Sequence, residues 1–214
     1  MDIAVASDTD RLRVVTADDC TLADLSTLQG YWTQAQYLRL THEGNRLIEF
    51  TDGYIEFLPM PTQRHQAISR FLFRALDSFV RDIGGEAFYA PLRLRIRDGK
   101  FREPDLLLVR DSGDPRCRDD YWLGADLVVE VVSPDNPDRD MVDKRLDYAE
   151  AAIPEYWIVN PLDETVTVLF LADGAYREHG VFRPGAHASS ALLIGFSVNV
   201  QESFDAARAR QHDS

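Results

Sequence analysis

Apolar residues recur at three- and four-residue steps from Ile68 through Phe71, Leu72, Ala75, Leu76, Phe79 and Val80 to Ile83. That spacing lays an apolar stripe along one side of the chain and predicts an amphipathic helix. Thr62 is placed to cap its start and Gly84-Gly85 to stop it. His65 falls three residues before Ile68 and extends the same stripe. Downstream the period becomes two. Leu92, Leu94 and Ile96 alternate with Arg93, Arg95 and Arg97, a half-buried strand with one basic face. Asp98-Gly99 turns the chain, and Phe101 to Val109 returns. Leu127 to Val132 is apolar on both faces, which suits a strand at a sheet centre. Residues 138–152 read as a second helix, with Met141, Tyr148, Ala149 and Ala152 on one face, closed by Pro154. Tyr156 to Val159 is a further short buried strand.

The connections set the strand directions. A tight turn makes the first two of these strands antiparallel, and a crossover helix makes the strands at 127–132 and 156–159 parallel. The expected fold is therefore α/β, a mixed sheet with flanking helices and a helix, three strands, helix, strand core. An N-terminal hairpin precedes it, because Arg46 to Leu58 alternates on both sides of Asp52-Gly53, a dipeptide that accepts positive φ at both turn positions. Thr33 reads as the cap of a helix carrying Tyr37, Leu38 and Leu40. Thr165 to Phe182 reads as another hairpin about Asp173-Gly174, with a last strand at Phe196, Val198 and Val200. Residues 1–30 show no strong period and are expected to form an arm. Residues 31–204 form the domain and 205–214 a tail.

Composition narrows the setting. A chain of 214 residues, 45% apolar, closes a core without disulfides. Its two cysteines, Cys20 and Cys117, form no C-x-x-C pair. With no signal-like apolar segment, they suit a reducing cytoplasm. No run approaches a membrane span, so no membrane partner is expected. The net charge of −13 argues against a general nucleic-acid coat, yet leaves room for a local basic groove or a metal-neutralised site.

Glu130 is out of place. A carboxylate inside Leu-Val-Val-Glu-Val-Val costs several kcal/mol unless it is protonated, paired or bound to metal. A salt bridge to a structural arginine, or a strand end at the solvent edge, is the plainer alternative. Asp105, between Pro104 and Leu106, stands on the neighbouring strand and is the natural partner. Two hard oxygen ligands, with waters and a backbone carbonyl, suit Mg²⁺ or Mn²⁺. Lys144 lies four residues before Tyr148 on the sheet-facing side of its helix, where it either serves the site or snorkels. His65 and Glu49 are supporting candidates, with Glu56 weaker. A histidine on an apolar face is more often a satisfied core residue. No P-loop, G-x-G-x-x-G or G-x-S-x-G is present.

Pro104-Asp105 followed by Glu130 on an apolar strand resembles the PD-(D/E)XK nuclease superfamily. Glu130-Val131-Val132-Ser133-Pro134, then Asp140, Lys144, Tyr148 and Ala149, then Ile153-Pro154-Glu155-Tyr156-Trp157-Ile158-Val159-Asn160-Pro161 are similar to the bacterial putative restriction endonuclease family, formerly a domain of unknown function. The Asp52-Gly53 hairpin and Arg64-His65-Gln66 match it too, and the resemblance covers roughly residues 33–204. It implies the restriction-endonuclease-like fold and Mg²⁺-dependent hydrolysis of a phosphodiester, with DNA as substrate. Asp105 and Glu130 would hold the metal, with the Val131 carbonyl as a further ligand. The superfamily's lysine normally follows the acid by two residues, where this chain has Val132. Lys144 on the following helix would take its place. Restriction-type nucleases often pair, so a homodimer is the expected assembly. Two other readings stay open, a silent module of the same fold that binds a partner and a metal-dependent hydrolase of another phosphate ester.

Overall fold

The computed structural model describes residues 3–8, 11–16, 21–44 and 46–208. The chain forms two compact units. One comprises Met1–Pro59 with Gly99–Phe101, the other Met60–Asp98 with Arg102–Ser214.

In the first unit, β1 (Ile3–Asp8), β2 (Arg11–Thr16) and β3 (Thr21–Asp24) run antiparallel in that order. A full capping box starts α1 (Gln34–Glu43), because Thr33 accepts from the Gln36 amide and the Gln36 side chain accepts from the Thr33 amide. β4 (Ile48–Thr51) and β5 (Tyr54–Phe57) form the expected hairpin, with Asp52 at φ 48° and Gly53 at φ 90°. Phe50 and Thr51 also pair with Phe101 and Lys100. Tyr37 stacks on Phe50 at 5.0 Å and closes this unit's core.

The second unit is built on α2 (Gln63–Asp82), which runs as the stripe predicts. Thr62 caps it and Gly84, at φ 91°, leaves it. There follow β6 (Glu86–Tyr89), β7 (Leu94–Arg97), then β8 (Lys100–Arg102), whose first two residues belong to the first unit, and β9 (Leu106–Val109) and β10 (Leu127–Val131). A wide helical turn, Arg139–Asp143, leads into α3 (Lys144–Glu150) and then β11 (Glu155–Asn160). β12 (Thr165–Ala172), β13 (Ala175–Phe182), β14 (His187–Ser189), β15 (Ser197–Asn199) and α4 (Val200–Arg208) complete the chain. The main sheet has the order β13-β12-β11-β10-β9-β6. β10 and β11 are parallel, as a crossover helix requires, and the other neighbours are antiparallel.

The mixed α/β architecture is as expected, with two differences of detail. The strand beside β9 is β6, which the hydrophobic pattern does not show, and not the segment at Leu92–Arg97. Only Ala87 of its four residues is buried, so no alternation marks it. The apolar run from Phe101 to Val109 is also split at Glu103-Pro104, because proline has no N–H to give to a ladder.

Alternation along the central strands sorts the core into two faces. Leu106, Leu108, Leu127, Val129 and Val131 pack with Ile68, Leu72, Leu76 and Val80 of α2 and with Phe204 of α4. Leu107, Val128, Val132 and Ile158 pack with Tyr148, Ile153 and Tyr156 on the α3 side. Glu130, between Val129 and Val131, therefore points toward α3.

Candidate active site

Register places the two acids. Leu127 pairs with Leu108 and Val129 with Leu106, so one further step sets Glu130 opposite Asp105. Directly opposed residues of an antiparallel pair share a face, with Cα atoms roughly 5 Å apart. Asp105 is held by its Oδ2, which accepts from the Val131 amide at 2.7 Å and lies 3.0 Å from His65 Nε2. Both bonds fall on one oxygen, so that Oδ1 takes neither. Thr62 sets the first turn of α2 by accepting from the His65 amide, and this brings the His65 ring to the mouth of the sheet. Ser69, one turn on, donates to the His65 carbonyl.

Glu130 is 2% exposed and Lys144 3%. Lys144 Nζ lies 2.8 Å from Glu130 Oε1 and 3.3 Å from Asp140 Oδ1. The Tyr148 hydroxyl donates to the same Glu130 oxygen in a short hydrogen bond. Glu130 thus repeats the pattern of Asp105, with its protein donors on Oε1 and neither of them on Oε2.

The wide turn at Arg139–Asp143 creates this arrangement. Its closing bond runs from the Lys144 amide to the Arg139 carbonyl, five residues back. The wider turn puts Asp140, Lys144, Asp147 and Tyr148 inward and leaves Met141 42% exposed. The helical stripe led through Met141 is thereby corrected, since the inward line is Asp140, Lys144 and Tyr148. Asp140 is anchored from two sides. Tyr156 donates to its carbonyl at 2.6 Å, and the Ser133 amide reaches its Oδ2 at 3.4 Å. Asp140 and Tyr148 join the site through Lys144 and Glu130. The spacing Asp-x₃-Lys-x₃-Tyr, one helical face of donors and an acceptor, is the signal that marks them.

The charges are under strain. Burial is the largest influence on Glu130 and pushes its pKa up; Lys144 pulls it down, while Asp105 and Asp140 add to the rise, to about 8. Asp140 is raised for the same reason, burial first, against the pull of Lys144 and Arg139. For His65, burial alone would lower the pKa. The hydrogen bond and charge of Asp105, the charge of Asp140 and a bond at the Val131 backbone outweigh it, so the net shift is upward. Glu130 and Asp140 thus share one buried ammonium while Asp105 pairs with His65, so the two innermost acids are short of positive charge.

That shortage is the test of whether a divalent cation fits. Two carboxylates from adjacent strands, each with one oxygen outside its protein bonds, suit a hard ion that keeps several waters. Among the described residues, no group of three or more His, Cys, Asp or Glu side chains converges as a metal cage. The third acid, Asp140, is instead turned to Lys144. Glu49 is buried on β4, in the first unit, and paired in register with Glu56. Arg95 and Arg97 of the basic strand bond to Asp98 and Glu150. No described helix is long and apolar enough to cross a membrane.

The family model described as Uma2, putative restriction endonuclease, matches residues 34–201. A crystal structure of a putative nuclease belonging to DUF820, from Anabaena variabilis ATCC 29413, superposes with a TM-score of 0.64 at 21% identity. The match covers 79% of this chain and 98% of that one, and it is a likeness of fold. No curated protein matches the chain.

Proposed function

The chain belongs to the Uma2 family of putative restriction endonucleases, and from that premise we propose that Asp105, Glu130 and Lys144 form a Mg²⁺- or Mn²⁺-dependent site that hydrolyses phosphodiester bonds in DNA. The observation that carries this reading is the Lys144–Glu130 contact of 2.8 Å inside the sheet. It returns an ammonium to the acid's side although the strand position two residues on is Val132.

Asp105 Oδ1, Glu130 Oε2 and the Val131 carbonyl would hold the ion. Bound there, it lowers the pKa of a water and neutralises charge on the phosphate. His65 and the Val131 amide keep Asp105 in orientation. Lys144, anchored between Glu130 and Asp140, holds positive charge where negative charge develops on the phosphate. Tyr148 fixes the Glu130 rotamer from the other side.

Nicking of a supercoiled plasmid tests the proposal. Wild type with Mg²⁺ or Mn²⁺ should cut, and chelator, Glu130→Gln or Lys144→Met should each reduce cutting at least about a hundredfold, as loss of one preorganised charge contact does. Equal cutting by the variants overturns the assignment. The net charge of −13 favours one other reading, a partner-binding module without catalysis. Metal binding with no cleavage of any DNA form is its signature.

A further inference from the structure

Asn160 ends β11 on the same face of the sheet as Glu130. Glu130 pairs with Ile158 and Val131 with Val159. Val159 packs on the α2 side and Ile158 on the α3 side. Alternation therefore returns Asn160 to the α3 side, two residues beyond Ile158 toward the strand's carboxyl end. Two residues of rise and one strand spacing set its Cα roughly 8 Å from that of Glu130. The residue is only 8% exposed. Its side-chain oxygen accepts from the Leu162 amide at 2.9 Å. Only an oxygen can accept there, so the orientation of the side-chain amide is fixed. Its Nδ2 makes no hydrogen bond among the described residues and is not sealed from solvent. The chain around it is held on both sides. Asn160 pairs with Thr165, and Arg64 of α2 donates to the Pro161 carbonyl at 2.7 Å.

A turn-capping asparagine uses its oxygen alone, and an aspartate would serve that bond as well. The unused donor is what calls for a partner. Among the described residues, β10 and β11 form the one parallel pair of the main sheet. The carboxyl ends of parallel strands are where open α/β sheets take up ligands. Donors free to face an anion are scarce at this end. Lys144 is held between Glu130 and Asp140, and His65 is turned to Asp105. The net charge of −13 also repels a polyanion. A neutral amide N–H meets a phosphate oxygen without needing a counter-ion of its own, and a hydrogen bond to a charged group is among the stronger ones.

Resting on the nuclease reading above, we infer that Asn160 is a positioning residue whose Nδ2 donates to an oxygen of the phosphate next to the one cut at Asp105 and Glu130. The strand spacing between Glu130 and Asn160 sets the amide beside the reacting phosphate, not on it. Asn160 takes no part in the chemistry. A carboxylate of the same shape at this position repels the substrate.

Fluorescence anisotropy of the full chain tests this, using labelled DNA as a duplex and as a single strand, with Ca²⁺ in place of Mg²⁺ to prevent cutting. Asn160→Asp keeps the acceptor for the Leu162 amide and removes the donor. Its Tm should match wild type, while DNA affinity falls more than about tenfold and KM rises with little change in kcat. Asn160→Ser keeps a neutral cap on a shorter side chain and should weaken binding about tenfold without added charge. A role in capping the turn alone predicts that both variants bind DNA as wild type does. That result overturns the inference and leaves the nuclease reading intact. A fall in kcat at unchanged KM also overturns it, because it would set Asn160 on the reacting groups. If wild type binds neither DNA form, the nuclease reading fails and this assignment falls with it.

Discussion

Lys144 reaches Glu130 across fourteen residues of sequence, and the two side chains meet at 2.8 Å with almost no exposure to solvent. Neither would be tolerated there alone. A glutamate on a central strand needs a cation, and an ammonium under a sheet needs an anion. Asp140 makes the lysine's second ion pair and Tyr148 the glutamate's second hydrogen bond.

Removing the ammonium should therefore be costly. Lys144→Met leaves Glu130 and Asp140 buried without their shared cation, and chemical denaturation at pH 8 should show a loss of about 3–5 kcal/mol. At pH 5.5 the loss should be smaller, because a protonated Glu130 needs no cation. An equal loss at both pH values would mean that the pair is not charged in the wild type.

The metal-free protein should be most stable in mild acid. Glu130, Asp140 and His65 are all shifted upward on folding. A group with a raised folded pKa binds its proton more tightly in the native state. Its stabilisation is complete below the unfolded pKa and is lost as pH rises through the folded one. For Glu130 that window runs from its ordinary value near 4.5 to about 8. In EDTA, Tm should fall from pH 5 to pH 8; a rising Tm would contradict the shifts.

Divalent cation should reverse that slope. Binding requires ionised carboxylates, so Mg²⁺ or Mn²⁺ should stabilise the protein more at pH 8 than at pH 6. Calorimetry should show metal binding to wild type and none to Glu130→Gln or Asp105→Asn. Equal affinity of all three proteins would place the ion elsewhere.

Gly85 tests the fold around β6. A Cβ built there would come within 2.3 Å of the Val109 carbonyl oxygen and 2.6 Å of Val80 Cγ2. Backbone cannot yield as a side-chain tip does, so Gly85→Ala should cost about 1–3 kcal/mol as overpacking. Gly84→Ala meets no atom within 4 Å and is strained only by its φ of 91°, so denaturation of the two variants separates contact from conformation.

Much of this molecule is written in local periodicity. The stripe of α2, the Asp52-Gly53 and Asp173-Gly174 turns and the apolar runs of β9, β10 and β11 are each legible within a few residues, because side-chain period and turn chemistry are local properties. The same runs expose Glu130 as an anomaly, since its cost follows from its immediate neighbours. What remained for the tertiary structure was everything decided by contact across the chain. Tyr148 and Asp140 became part of the site only because the wide turn at Arg139–Asp143 rotates that helix, exposing Met141 and burying Lys144. β6 exists because β9 offers it an edge, not because its four residues alternate. The arginine strip of β7 is committed to Asp98 and Glu150. Hydrophobic spacing states which face is buried, but a buried charge is settled by its partner, and partners are chosen by packing.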